Sequence, residues 1–159
     1  MPKLTIRFVN EPGIVSRLIT FGTNSLWCHT EALSRDGKSW IGAHAKTGVE
    51  ARPLDWCKPT REAIYAVPVT AAQYKAATAW LEAKIGTPYD YEDIVGMAVH
   101  RRIFGKGRLI CSALMTEYMM VAGLEPLNVL EQYSYLITPE TLHLSPLFIG
   151  RKVLSTQIN

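Results

Sequence analysis

Cysteine is scarce in this sequence, and its spacing excludes one class of protein. The three cysteines, Cys28, Cys57 and Cys111, are an odd number and form no Cys-x-x-Cys pair. This pattern argues against a disulfide framework. It favours a reducing compartment, or a protein that needs a free thiol.

Long hydrophobic runs are also lacking. No stretch approaches the roughly 20 consecutive apolar residues that a membrane span needs, so we expect no transmembrane segment. The first residues contain neither a long apolar core nor a small-residue cleavage site. We therefore expect no signal peptide, and a protein that is cytoplasmic or associated with a phage.

Charge is modest as well, because charged residues make up 19% of the sequence and the net charge is +3. A basic cluster lies within residues 100–108, but no nucleic-acid-binding motif accompanies it, so we expect no nucleic-acid partner. The 159 residues are 48% hydrophobic, which is enough to bury a core, and they show no repeat or linker. We therefore expect one domain over residues 1–159.

Strand patterns occupy the first half of the sequence, and helix patterns occupy most of the second. Alternating apolar residues predict strands, capping residues and apolar faces predict helices, and Asp36-Gly37 predicts a hairpin turn. The order of these elements predicts an α+β fold. The predicted strands cover residues 4–8, 26–33, 39–45, 48–54 and 63–69, and the predicted helices cover 14–21, 71–85, 91–100, 112–123 and a short segment from 139.

Cys111 lies where an apolar segment meets the first turn of a predicted helix. The unpaired N–H groups and the positive dipole end of a helix stabilise a thiolate over a thiol. Far upstream, His29 is a candidate base. A nucleophilic cysteine and a distant histidine are the minimum for a thiol hydrolase.

The predicted hairpin places two histidines on one face of the sheet. If Asp36 and Gly37 form the turn, the numbers of cross-strand partners sum to 73, so that His29 lies opposite His44 with Cβ atoms about 5 Å apart. Glu31, two residues after His29, points to the same face. The base of a thiol hydrolase needs a second polar group to orient it, and His44 and Glu31 are both candidates for this role.

A zinc site is the alternative use of these residues. The sequence offers four potential zinc ligands, namely Cys28, His29, His44 and Cys57. Alternation along a strand nevertheless turns Cys28 away from His29, and the spacings match no common zinc pattern. We therefore expect no metal and no cofactor.

Several aromatic residues are candidates for the walls of a substrate cleft. Tyr89 and Tyr91 lie in the segment GTPYDY at residues 86–91, which has a tight turn next to an aspartate. Trp27 precedes the predicted hairpin and is either a core residue or a cleft residue.

Four segments together resemble the NlpC-type, papain-like cysteine hydrolases in their circularly permuted branch, which includes the YiiX/YaeF-like amidases and the relatives of lecithin:retinol acyltransferase. In that branch the histidine strand precedes the cysteine helix, as His29 precedes Cys111 here. Two positions differ from the family pattern: Cys28 stands where serine is frequent, and Gly42 stands where glutamate is frequent. The resembling segments are residues 27–31 (WCHTE), 43–49 (AHAKTGV), 86–91 (GTPYDY) and 110–114 (ICSAL).

The resemblance implies a permuted papain-like fold, in which a small antiparallel sheet packs against the nucleophile helix, with no metal cofactor. It implies an amidase or peptidase that forms a thioester on Cys111, with Ser112 among the substrate-binding residues. The expected substrate is a peptide, a peptidoglycan fragment or a lipid-linked acyl-amide. Two alternatives stay open: an acyltransferase with the same intermediate, and a non-catalytic binding or structural module that keeps the fold.

Overall fold

A six-stranded antiparallel sheet is the largest element of the computed structural model, which describes residues 1–12, 25–88, 110–128 and 137–154. Its strand order is β4-β3-β2-β1-β5-β6. The predicted strands are all present, and β6 is an addition that the sequence analysis did not predict. The strands are β1 Lys3–Asn10, β2 His29–Leu33, β3 Ser39–His44, β4 Gly48–Pro53, β5 Arg61–Pro68 and β6 Lys152–Val153.

Three α-helices accompany the sheet in the described ranges, and a short 3-10 helix, Pro146–Phe148, follows the last of them. The α-helices are α1 Ala71–Ala83, α2 Cys111–Val121 and α3 Pro139–His143. Thr70 and Gln73 form the predicted capping box at the start of α1, which ends two residues earlier than expected. Thr138 caps α3 as expected, by accepting a hydrogen bond from the Thr141 N–H. The helices predicted over residues 14–21 and 91–100 lie outside the described residues.

The hairpin between β2 and β3 has the predicted register but a different turn. Ala32 pairs with Ile41 and Leu33 with Trp40, so partner numbers sum to 73 as expected. The turn, however, is closed by a hydrogen bond from the Gly37 N–H to the Ser34 carbonyl. The Ser34 hydroxyl and the Lys38 N–H both donate to Asp36 Oδ1, and these hydrogen bonds stabilise the wider turn. The register is unchanged because the turn widens equally on both strands.

One face of the sheet forms the hydrophobic core. Ile6 pairs with Ala32, and Ala32 with Ile41, so these apolar side chains share a face. They belong to a buried cluster that includes Leu114 and Met115 of α2. The amphipathic strands therefore hold α2 against β2 and β3.

The other face of the sheet is also buried around Arg7 and Glu31, where β1 pairs with β2. Arg7 is only 3% exposed because its guanidinium pairs with Glu31 and Glu62 and lies 5.2 Å from the Trp40 ring centroid. A buried charge needs such partners. This polar face contains the candidate site. No helix in the described ranges is both long and apolar enough to cross a bilayer.

Candidate active site

His29 and Glu31 lie on the polar face of β2. His29 is the first residue of the strand and pairs with Val9, and Glu31 pairs with Arg7. The two side chains share a face because they are two residues apart on a strand. His29 Nε2 lies 3.4 Å from Glu31 Oε2, and both side chains are buried.

Cys111 is the first residue of α2. Ile110 before it is extended, and no side chain caps the N–H groups at this helix start. The first N–H groups of a helix have no partner within the helix, so they are free to bind an anion beside the sulfur. The thiol is nearly buried, with 4% exposure, and α2 packs directly on β2.

Interactions with His29 connect the helix start to the strand. Burial alone would lower the pKa of this imidazole. Side-chain interactions with Cys111, then with Glu31, outweigh burial and hold the pKa of His29 well above its usual value of 6.5. The ring therefore favours the imidazolium form between a sulfur and a carboxylate.

Glu31 is fixed in place by two donors. Its Oε1 atom accepts hydrogen bonds from Arg7 Nη1 at 2.8 Å and from Trp56 Nε1 at 3.3 Å. Burial would lower the pKa of Arg7, but the neighbouring carboxylates of Glu31 and Glu62 raise it above its usual value. Glu31 therefore directs its second oxygen, Oε2, toward His29.

His44 lies beside His29, as the predicted register requires. The centroids of the two rings are 4.6 Å apart, with an angle of 37° between their planes. Burial, then the charges of His29 and Arg52, lower the pKa of His44 to about 2, so this ring is neutral. Trp56 packs edge-on against both imidazoles.

Gly42 provides the space for this arrangement. A Cβ atom at position 42 would lie 3.0 Å from Glu31 Cβ and 3.0 Å from His29 Nε2. Such distances are shorter than normal van der Waals contact. The absence of a side chain at Gly42 thus leaves room for the His29 ring next to Glu31.

The structure brings four predicted residues together, namely Cys111, His29, Glu31 and His44. Trp27 instead lies in a buried aromatic cluster with Phe8 and His143. Ser112 is fully buried at the start of α2.

Tyr89 and Tyr91 lie outside the described residues. The segment that precedes them is described. The N–H of Gly86 donates to the Val49 carbonyl, and the Val49 N–H donates to the Thr87 carbonyl, each at 2.8 Å. Val49 follows Gly48, the partner of His44, so residues 86–87 lie beside β4 near its His44 end.

Arg7 and Trp56 were not predicted as site residues. Arg7 faces Glu31 through the pairing of β1 with β2, and residues 11–28 separate these strands in the sequence. Trp56 lies in the segment after β4, and this segment folds over the polar face of the sheet. No sequence motif predicts that the segment folds in this direction. Alternation along β1 puts Arg7 on the face opposite to Phe8, but only the register shows which residue it meets.

No protein-family model matches the sequence, and no curated protein matches it. The α+β architecture that the sequence predicts is confirmed by the six-stranded sheet and its helices. Among solved structures, the fold is similar to that of yiiX from Escherichia coli O157:H7, which is described as a metalloprotein of DUF1105. The TM-score is 0.71 at 17% identity, and the match covers 96% of each chain. At this identity the likeness concerns the fold.

Proposed function

We propose that this protein is a cysteine hydrolase that cleaves an amide bond through a thioester on Cys111. The observation that carries the proposal is the buried His29 imidazole, which interacts both with Cys111 at a helix start and with the carboxylate of Glu31, 3.4 Å from Nε2. This is the arrangement of nucleophile, base and orienting group that thiol hydrolysis needs. The likeness to yiiX and the order of the His29 strand before the Cys111 helix support a permuted papain-like fold.

In the proposed reaction, His29 holds the proton of the Cys111 thiol. Because Nε2 faces Glu31, Nδ1 is the nitrogen left for the sulfur. The thiolate attacks the amide carbon, and the N–H groups at the start of α2 stabilise the oxyanion. The C–N bond then breaks as His29 gives its proton to the leaving amine. Water, deprotonated by His29, attacks the thioester, and the acid and the Cys111 thiol are released.

Glu31 is the better candidate for the orienting role. Its Oε2 atom lies 3.4 Å from Nε2 of the base, and its other oxygen is held by Arg7 and Trp56. His44 instead packs against the His29 ring at an angle of 37°. A neutral ring excludes water from the imidazole, whereas the negative charge of Glu31 also stabilises the imidazolium form.

The first test compares two thiols of the same chain. Burial raises the pKa of Cys57 to about 11, so this thiol is an internal control that stays protonated at neutral pH. With iodoacetamide at pH 7, we expect Cys111 to be alkylated at least about tenfold faster than Cys57, because only Cys111 has a base and a helix start beside it. Peptide mass spectrometry measures the two rates.

The matched variant is His29→Gln, which should slow alkylation of Cys111 and leave the Cys57 rate unchanged. Equal rates at the two thiols, or a Cys111 rate that is indifferent to this change, would contradict the proposal.

The second test identifies the substrate. Peptidoglycan fragments, other peptides, acyl-amides and lipids are incubated with wild type and with Cys111→Ala. We expect one class to give product and a hydroxylamine-sensitive mass adduct on the wild type only. A thioester that transfers to an added amine instead of water would indicate an acyltransferase. If no class gives an adduct or product, the hydrolase proposal fails.

The description of yiiX as a metalloprotein raises a second possibility for the same residues. Among the described residues, His29, Glu31 and His44 form one group of potential metal ligands that is entirely buried. The residues therefore fit a metal ion.

A further inference from the structure

Three buried atoms of the site have no hydrogen-bond partner among the described residues: His29 Nε2, Glu31 Oε2 and His44 Nε2. They belong to three side chains whose potential ligand atoms lie within 4.8 Å of one another. Leaving a buried polar atom unsatisfied costs about 1–3 kcal/mol, and such atoms are rare in proteins. Three of them around one point indicate a bound species that they share.

The distances fit a metal ion better than a direct hydrogen bond. His29 Nε2 and Glu31 Oε2 are 3.4 Å apart and are not aligned for hydrogen bonding. Zinc binds nitrogen and oxygen at about 2.0–2.2 Å, and tetrahedral geometry then separates neighbouring ligands by about 3.4 Å. His44 supplies a third potential ligand atom within 4.8 Å of the other two.

The surroundings of Glu31 are those of a metal ligand. Its Oε1 atom is held by Arg7 and Trp56, which leaves Oε2 free to coordinate. Outer contacts of this kind orient ligands in metal sites. Arg7 also pairs with Glu62 at 2.6 Å, so the charge of Glu31 is only partly neutralised.

We propose that His29, Glu31 and His44 form a three-ligand site for a first-row divalent ion such as Zn²⁺, with a fourth coordination position open. Two imidazoles and one carboxylate are a donor set that zinc and its neighbours in the row accept. Cys111 is not a member of this ligand group, although its side chain also interacts with His29. The sulfur is therefore not needed for binding.

A consequence follows for the thiol chemistry, and this part rests on the proposed hydrolase function. A neutral imidazole that coordinates through Nε2 carries its proton on Nδ1. His29 then has no nitrogen left to take the proton of the Cys111 thiol. Metal binding and hydrolysis therefore exclude each other, and the metal is an inhibitor of the hydrolase.

The test measures metal content independently of activity. The full chain is purified, treated with a chelator, incubated with Zn²⁺ and desalted, and bound zinc is measured by elemental analysis and titration calorimetry. We expect one zinc per chain. Co²⁺ in place of Zn²⁺ should give the visible absorption of a four- or five-coordinate site.

Four variants separate the outcomes. Glu31→Gln and His44→Gln should each weaken zinc binding by about 100-fold or more, since loss of an outer contact alone costs 10–100-fold. Cys111→Ser should bind zinc as tightly as the wild type. His143→Gln, which changes a histidine in the aromatic cluster, is the control and should also keep wild-type affinity.

Absence of stoichiometric Zn²⁺ or Co²⁺ binding, or wild-type affinity in His44→Gln, would overturn the metal site and leave water as the shared species. If the site binds zinc but the wild type is inactive on every substrate, only the hydrolase fails. If the wild type is active, we expect one equivalent of zinc to inhibit it and a chelator to restore it. Full activity of the zinc-loaded protein would overturn the exclusion.

Discussion

Glu31 has a different task at each of its two oxygens. Oε1 is held by Arg7 and Trp56, whereas Oε2 faces His29. Because the first oxygen is anchored, the second cannot rotate away from the imidazole without breaking two hydrogen bonds. One residue therefore links the buried charge of Arg7 to the charge state of His29.

Replacing this carboxylate should change the titration of the base. In Glu31→Gln, loss of the negative charge should lower the pKa of His29, and the pH dependence of kcat/KM should move to lower pH. Because the orienting contact is also lost, kcat/KM should fall by about tenfold or more. NMR titration of His29 measures the first effect directly.

Glu62→Gln is the matched control for this prediction. It removes the other carboxylate partner of Arg7 without touching His29. The titration of His29 should then stay close to that of the wild type. An unchanged titration in Glu31→Gln would mean that Glu31 does not set the charge of His29.

At the residue scale, local patterns predicted some contacts of the site and missed others. The proximity of His29 and His44 followed from the hairpin because a short turn fixes the register of both strands. Arg7 and Trp56 could not be predicted, because they reach Glu31 through connections longer than a turn. Which of His44 and Glu31 lies next to the His29 nitrogen atoms depends on how the imidazole ring is rotated. The spacing of residues in the sequence does not determine this rotation.

At the element scale, Gly48 allows the segment after α1 to pack closely against the start of β4. Its φ angle is +81°, and a Cβ atom there would lie 2.2 Å from the Thr87 carbonyl oxygen. This close approach allows the hydrogen bonds between Val49 and residues 86–87. A glycine is therefore required at this position, because any other residue would be strained by the positive φ angle and its Cβ atom would clash with Thr87.

Gly48→Ala should therefore be more destabilising than an ordinary glycine replacement. The positive φ alone costs about 1–2 kcal/mol, and overpacking adds about 1–3 kcal/mol. Denaturant unfolding measures the loss. Gly86→Ala is the matched control, because its φ is +93° but its Cβ would have open space. Equal losses in the two variants would show that the contact with Thr87 contributes nothing.

Elements with local signals were predicted well. The capping box at Thr70 fixes the start of α1, and the Thr138-Pro139 pair fixes the start of α3. The two-residue strand β6 was missed because so short a segment has no periodicity. It forms by pairing with β5, a contact between residues almost ninety positions apart in the sequence.

At the scale of the whole molecule, the order of strands in the sheet could not be predicted. The α+β class follows from strands that come first and helices that follow. The placement of β1 between β2 and β5 depends on pairing across connections that carry no turn signal. Closing connections of this length costs conformational entropy, and this cost is offset by the burial of side chains between strands. The sequence alone does not show which strands bury each other.

His29 and His44 should make the stability of the folded protein depend on pH, and their two contributions should have opposite signs. Burial, then the charges of His29 and Arg52, lower the pKa of His44 in the folded protein to about 2, against its usual value of 6.5. Below pH 6.5 the unfolded chain binds a proton on His44 that the native protein does not, so stability falls as the pH falls. His29 has a raised pKa, so its contribution is complete below pH 6.5 and is lost as the pH rises through the folded value.

His44→Gln should remove the acid-side loss. Between pH 6.5 and pH 4.5, a proton bound only by the unfolded chain costs up to about 1.4 kcal/mol per pH unit. The free energy of unfolding, measured in urea at each pH, should therefore fall less steeply in the variant than in the wild type. Parallel curves for the two proteins would contradict a neutral, buried His44.

The hydrogen bonds between Val49 and residues 86–87 also affect how the protein behaves toward other copies of itself. β4 is an edge strand, and its outward N–H and C=O groups could pair with a strand of another chain. The N–H and C=O groups of Val49 already form hydrogen bonds within the chain. Pro53, four residues later, also directs its backbone groups outward, but proline has no N–H. This leaves Ala51 as the outward N–H donor of the strand. The edge is thus too interrupted to serve as a template for sheet extension, which protects the protein from aggregation.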